Sequence, residues 1–148
     1  VYFADERRKT RDERLIFCFS FSMAIMGKEF AYRKLDVYHK ALAWVIEIYK
    51  IVAEFPLFED YALSSQLRRA AISVTSNIAE GMSRSSNKDV VRFLEISYGS
   101  LMEANSQLEI AQLLGYIEKN ELDNICSKTM EIARMLSGLK NSISNSGK

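Results

Sequence analysis

From Leu35 to Phe55 the chain holds no glycine or proline, and its apolar positions repeat with a helical period. Leu35, Tyr38, Leu42, Val45, Tyr49 and Val52 recur at alternating steps of three and four, a heptad seam. Val37, Ala41, Trp44, Ile48, Ile51 and Phe55 form a second seam with the same alternation. At about 100° per residue the two seams lie roughly 110° apart, so together they give an apolar arc of nearly half the circumference. Asp36, Lys40, Glu47, Lys50 and Glu54 fill the other face. One neighbouring core needs a narrower stripe, so the second seam is expected to meet a further partner, within the bundle or on another subunit.

Pro56 ends this helix, because it lacks a backbone donor and disfavours a helical residue before it. Leu57 to Ala62 read as a short connection. A second helix is expected from Ser64 or Ser65 as cap, with Leu67, Ala71, Val74, Ile78 and Met82 as its seam and Gly81 at its end. Alanines 70, 71 and 79 allow close approach of a neighbour. A third helix is expected from Asn87 to about Leu114, on Val90, Leu94, Ser97, Leu101, Ala104, Leu108 and Ala111, with Gly115 ending it. The fourth starts near Glu118 and carries Leu122, Ile125, Thr129, Ile132, Leu136, Leu139 and Ile143. Short connections between four such helices predict an all-α fold, an antiparallel up-down-up-down four-helix bundle over 29–143 with a polar tail at 144–148.

Residues 1–28 break this pattern. Residues 5–14 are almost all charged and residues 15–26 almost all apolar. A twelve-residue apolar run is too short for a bilayer, which needs about 20 residues. Three readings stay open: an upstream-start artefact with Met23 or Met26 as the biological start, a genuine appended segment, or a secretory signal. The opening Val1 favours the first. Four acids in the charged head and the lack of a small-x-small cleavage site count against the third.

Composition narrows the function. The chain has 148 residues, one domain's worth, with 48% hydrophobic and 26% charged residues, as in a globular protein. Six glycines and one proline are too few turn formers for a β-sandwich or a nucleotide-binding α/β fold. A net charge of +1 gives no global basic field, so any phosphate-binding surface must be local. Cys18 and Cys126 have no metal-ligand spacing and suit a reducing compartment, with Cys126 expected in the core.

Chemistry of catalysis is nearly absent. The single histidine, His39, cannot supply the paired Glu-x-x-His of a di-iron bundle, and it reads as a surface residue. Gly99-Ser100 sits in a helix and is no nucleophile elbow. No residues assemble as nucleophile, base and orienter. The sequence therefore predicts no enzyme, no metal and no cofactor.

What stands out is cationic. Arg68, Arg69, Arg84, Lys88 and Arg92 fall within 25 residues, opposed there only by Glu80 and Asp89. They read either as a salt-bridge network between helices or subunits, with Glu95 and Glu103 as counterions, or as a patch that tracks phosphates. Arg84 and Lys88 flank an exposed turn and Arg92 follows one turn on, so these three are assigned to any nucleic-acid surface. Arg68 and Arg69, beside the seam residue Leu67, are given mainly structural roles.

An ordered set of motifs resembles a known family. These are Leu35-Asp36-Val37-Tyr38, Phe55-Pro56, Leu67-Arg68-Arg69-Ala70-Ala71, Ser76-Asn77-Ile78-Ala79-Glu80-Gly81, Lys88-Asp89-Val90-Val91-Arg92-Phe93-Leu94, Gly99-Ser100-Leu101-Met102-Glu103 and Leu114-Gly115-Tyr116. Over about 32–143 the chain resembles the four-helix-bundle family of bacterial 23S rRNA intervening-sequence proteins. A related branch is the accessory variability protein of diversity-generating retroelements, a pentameric barrel that binds nucleic acid and a reverse transcriptase. The resemblance implies a small cytoplasmic bundle that forms a homo-oligomer, a ring of five, with no established enzymatic activity.

Two function classes follow. One is a nucleic-acid-binding oligomer that meets RNA or DNA through the basic residues. The other is a structural oligomer or protein–protein adaptor. Neither involves a membrane. In both, Val37, Ala41, Trp44, Ile48, Ile51 and Phe55 are the expected oligomer interface, because large exposed apolar patches mark interfaces. Since the pattern breaks before residue 29, a chain begun at Met26 should melt at the same temperature as the full chain. A clear loss of melting temperature would refute this.

Overall fold

The structure is a computed structural model that describes residues 30–146, so the expectations for residues 1–28 lie outside the described residues. From Ala31 on, the chain forms a unit of four α-helices. They are α1 (Asp36–Ala53), α2 (Leu63–Gly81), α3 (Asn87–Leu113) and α4 (Lys119–Asn145), with 3-10 turns at Ala31–Lys34 and Leu57–Tyr61. No strand occurs among the described residues. The fold is the all-α bundle that the seams predict.

The helix ends are set by local chemistry, partly by other residues than expected. α2 begins at Leu63, and its first N–H donates to Glu59 Oε2 at 3.1 Å, so Glu59 rather than Ser64 or Ser65 serves this end. Ser64 is instead fully buried. At α3 the cap is Ser86, not Asn87. Ser86 Oγ accepts from Asp89 N at 3.1 Å and donates to Asp89 Oδ2 at 2.6 Å, a reciprocal cap. Asn87 Nδ2 donates to the Ile143 carbonyl at 3.3 Å. Past the end of α3, Gly115 takes a φ of +76°. Gly115 N donates to Gln112 O and Tyr116 N to Ala111 O, both at 2.9 Å, which is a Schellman closure. α4 continues to Asn145, two residues into the expected tail, and Ser146 N and Oγ both donate to Ser142 O.

Cross-helix bonds give the packing directions. Ser97 Oγ donates to Val74 O at 2.8 Å, while Gly81 meets Phe93, so α2 and α3 run antiparallel. Asn87 meets Ile143, Lys140 meets Glu95 and Cys126 meets Asn105, which makes α3 and α4 antiparallel. Lys40 pairs with Glu131 at 2.8 Å, and Lys128 Nζ reaches both Glu47 oxygens at 2.6 and 2.7 Å, bringing α4 back to α1.

All seven α3 seam residues are buried, as are Leu67, Ala71, Val74 and Ile78 of α2 and Ile125, Thr129, Ile132 and Leu136 of α4. The two seams of α1 exchange the roles expected for them. Val37, Ala41, Trp44, Ile48, Ile51 and Phe55, the expected oligomer interface, are all 8% exposed or less and belong to the chain's own core. The first seam is half-buried apart from Val52. The physical reason is that α1 packs against both α2 and α4, so the inward half of its circumference is consumed within one chain. These six residues are not an intersubunit surface.

Glycine positions give a paired stability test. A Cβ on Gly81 would lie 2.9 Å from Phe93 Cβ, whereas Gly99 and Gly138 have open space. Gly81→Ala should destabilise by about 1–3 kcal/mol through overpacking. Gly99→Ala and Gly138→Ala should each stabilise by about 0.5–1 kcal/mol by restricting the unfolded chain. Denaturant melts of the three variants measure both signs.

Candidate functional site

The five cations do not converge. Arg68 and Arg69 lie in the first turns of α2, whereas Arg84 lies beyond its last residue. Arg69 and Gly81 are twelve residues apart, about 18 Å along the helix at 1.5 Å per residue. The cluster therefore divides between the two ends of the bundle.

At the end formed by the α2–α3 turn, the three residues differ in availability. Arg84 Nη2 pairs with Glu80 Oε1, and its guanidinium sits 4.7 Å from the centre of the Phe93 ring. Its charge is thus already partnered within the chain. Lys88 lies in the first turn of α3 and Arg92 one turn later, so both project from one helix face. Both are exposed and have no ion-pair partner among the described residues. Glu95, a counterion in the network reading, pairs with Lys140 instead at 3.4 Å. Glu103, the other, accepts from Gln107 Nε2 at 3.1 Å. Around this end, segments 31–40, 80–95 and 134–146 hold eight Lys and Arg against four Asp and Glu.

At the other end Arg68 is half-buried and pairs with Asp60 at 3.3 Å. Arg69 is exposed and lines a groove between α2 and α3, which also contains Ile72, Ser73 and Glu103. Below that groove, Ser73 Oγ and Ser100 Oγ share a hydrogen bond of 2.8 Å, and Asn77 Nδ2 donates to Ser73 O and Oγ at 2.7 and 2.9 Å.

One feature was not foreseen from the sequence. The connection Leu57–Tyr61 meets the connection after α3. Tyr116 lies against Phe55 with the rings tilted by 50° and 5.4 Å between centres, and approaches Phe58 edge-on at 6.5 Å. Its hydroxyl donates to Glu59 Oε1 at 2.9 Å. Burial, then the hydrogen bond to Glu59 and the charge of Glu59, raise the phenol's pKa. Around this joint Leu57, Phe58, Tyr61, Leu113 and Leu114 remain exposed. The available signal was Leu-Phe-Glu-Asp-Tyr in a connection, where turn chemistry asks for small polar residues.

The remaining candidates are quiet. His39 Nε2 lies 2.6 Å from the Arg33 carbonyl oxygen at the start of α1. Cys126 is half-buried rather than in the core, and its thiol donates to Asn105 Oδ1 at 3.2 Å. Burial, with Glu109 and Asp123 nearby, raises the thiol's pKa, which opposes thiolate reactivity. Among the described residues no group of three or more His, Cys, Asp or Glu could hold a metal ion. No helix among them is long and apolar enough to cross a membrane.

Comparison with known proteins gives a family and a fold. The family described as 23S rRNA-intervening sequence protein matches residues 33–138. None of the curated proteins matches the chain. A solved structure of a protein of unknown function from the S23 ribosomal protein family of Bacteroides thetaiotaomicron superposes with a TM-score of 0.63. The two are 24% identical over 70% of this chain and 97% of that one, a likeness of fold.

Proposed function

Because the chain belongs to the 23S rRNA-intervening sequence protein family, we propose that it is a non-enzymatic binding protein whose basic end holds a nucleic-acid backbone. The observation that carries this reading is that Lys88 and Arg92, on one face of α3, are exposed and without an ion-pair partner among the described residues, within an end that has twice as many bases as acids. The N-terminus of α3 adds the partial positive charge of its helix dipole to the same region. Arg84, held by Glu80 and Phe93, contributes less, and Arg68 and Arg69 lie too far along α2 to join. Contacts of this kind position a backbone without reading bases, so RNA and DNA differ by shape rather than by sequence.

Lys88→Ala/Arg92→Ala should weaken binding of a structured RNA. It should also flatten the log–log salt dependence by about 1.4–1.8, two phosphates at 0.7–0.9 each. Arg84→Ala should have the smaller effect, and Arg68→Ala none. A parent chain that binds neither RNA nor duplex DNA at low salt refutes this reading and leaves the adaptor class.

For self-association the α2–α3 groove replaces the α1 seam. Arg69 and Glu103 lie on its two sides without an ion pair to one another, and the exposed Ile72 stands between small side chains. A second copy can satisfy both charges. The ring of five is the assembly that the sequence resemblance implies, as is the kinship with the retroelement accessory protein. Arg69→Glu or Glu103→Arg alone should lower the mass measured by light scattering, and the double exchange should restore it. A monomeric parent at micromolar concentration overturns the assembly.

A further inference from the structure

The end of the bundle opposite Lys88 and Arg92 has a different chemistry. Leu57, Phe58, Tyr61, Leu113 and Leu114 are 86%, 74%, 98%, 83% and 53% exposed. Counting roughly 150–200 Å² for a fully exposed large apolar side chain, they present on the order of 700 Å². Summed over the five side chains, that is close to the ~800 Å² per partner of a standard interface. The surface is also held in shape. Glu59 bridges Tyr116 to the first N–H of α2, and Tyr116 lies against Phe55 and Phe58.

The surroundings of the patch are acidic. Segments 54–66 and 109–124, which lie at this end, carry seven Asp and Glu against one lysine; of the two arginines further along α2, Arg68 is paired to Asp60 and Arg69 lines the groove between α2 and α3. Glu54, Glu118 and Glu121 are exposed and have no ion-pair partner among the described residues.

We propose that this tip docks a basic amphipathic segment of a partner protein, one that sets aliphatic or aromatic side chains between lysines or arginines. Apolar side chains of that segment cover the leucines and Phe58, and its cations meet the carboxylate rim, which steers encounter and rejects acidic competitors. The same rim argues against the other occupants. Phosphates of a nucleic acid or an anionic membrane meet repulsion here, and a second copy placed tip to tip opposes carboxylates with carboxylates. The inference does not depend on the nucleic-acid reading, because the two surfaces are at opposite ends.

The test uses fluorescent amphipathic helical peptides and the full chain. The probe is a leucine/lysine peptide, with a leucine/glutamate peptide and a leucine-free lysine peptide as controls. The parent should bind the first with an affinity that falls as salt rises, and bind the controls at least about tenfold more weakly. Leu57→Ser/Leu113→Ser should lose about tenfold or more of that affinity. Both side chains are more than four-fifths exposed, so the variant should keep the parent's melting temperature and RNA binding. Equal binding of the three peptides, or equal binding of the leucine/lysine peptide by variant and parent, overturns the proposal. So does a drop in the variant's mass by light scattering, which would make the tip a contact between copies.

Discussion

Trp44 is the chain's one tryptophan and the largest side chain in its core, 1% exposed. Its indole N–H donates to Thr129 Oγ1 at 3.0 Å, and the Thr129 hydroxyl donates in turn to the Ile125 carbonyl at 3.0 Å. The buried indole and hydroxyl are thereby both satisfied, where an unpaired group would cost about 1–3 kcal/mol. The bond joins the first helix to the last and closes the bundle. It also fixes the register of α1 on α4, which the Lys40–Glu131 and Lys128–Glu47 pairs follow on either side. Those pairs are partly exposed to solvent, which screens them, and contribute little themselves, about 0–1 kcal/mol each. The energy comes from apolar area, and the Trp44–Thr129 bond selects the arrangement that buries it.

That closure has a consequence for assembly. Once α1 lies between α2 and α4, the seam of Trp44, Ile48 and Phe55 has no surface left to offer another chain. The α2–α3 pair is built on another principle, close approach. Ala70, Ala71, Ser97, Ser100 and Ala104 are all buried, Gly81 lies against Phe93, and Ser97 Oγ donates to the Val74 carbonyl across the gap. Helices drawn together over small side chains leave a shallow outer groove, where Arg69 and Glu103 have no ion-pair partner among the described residues.

A net charge of +1 for the chain conceals a helical bundle with chemically different ends. The basic end, with Lys88 and Arg92, suits polyanions. The other end joins a carboxylate rim to exposed leucines and aromatic rings and suits a cationic, apolar partner. Antiparallel packing produces this separation, because it collects the end of one helix with the beginning of the next. Charges distant in sequence, such as Glu59 and Glu118, then share one end, while near neighbours such as Arg69 and Arg84 are driven apart.

The sequence by itself determined the four helices, their seams and the Gly115 stop. Periodicity and backbone preference are local properties, carried by residues three or four apart. It also carried the family resemblance, since the motifs keep their order along the chain. Tertiary structure decided which α1 seam faces inward, because both seams are apolar and only the positions of α2 and α4 distinguish them. It decided that Glu59 rather than Ser64 serves the start of α2, since a turn brings that carboxylate back to the helix end. It decided that five cations close in sequence form two separate groups, because a helix converts twelve residues into about 18 Å of distance. It also brought Phe58 and Glu59 against Tyr116 at the tip, a juxtaposition that exists only once the helices pack and that no window of sequence contains.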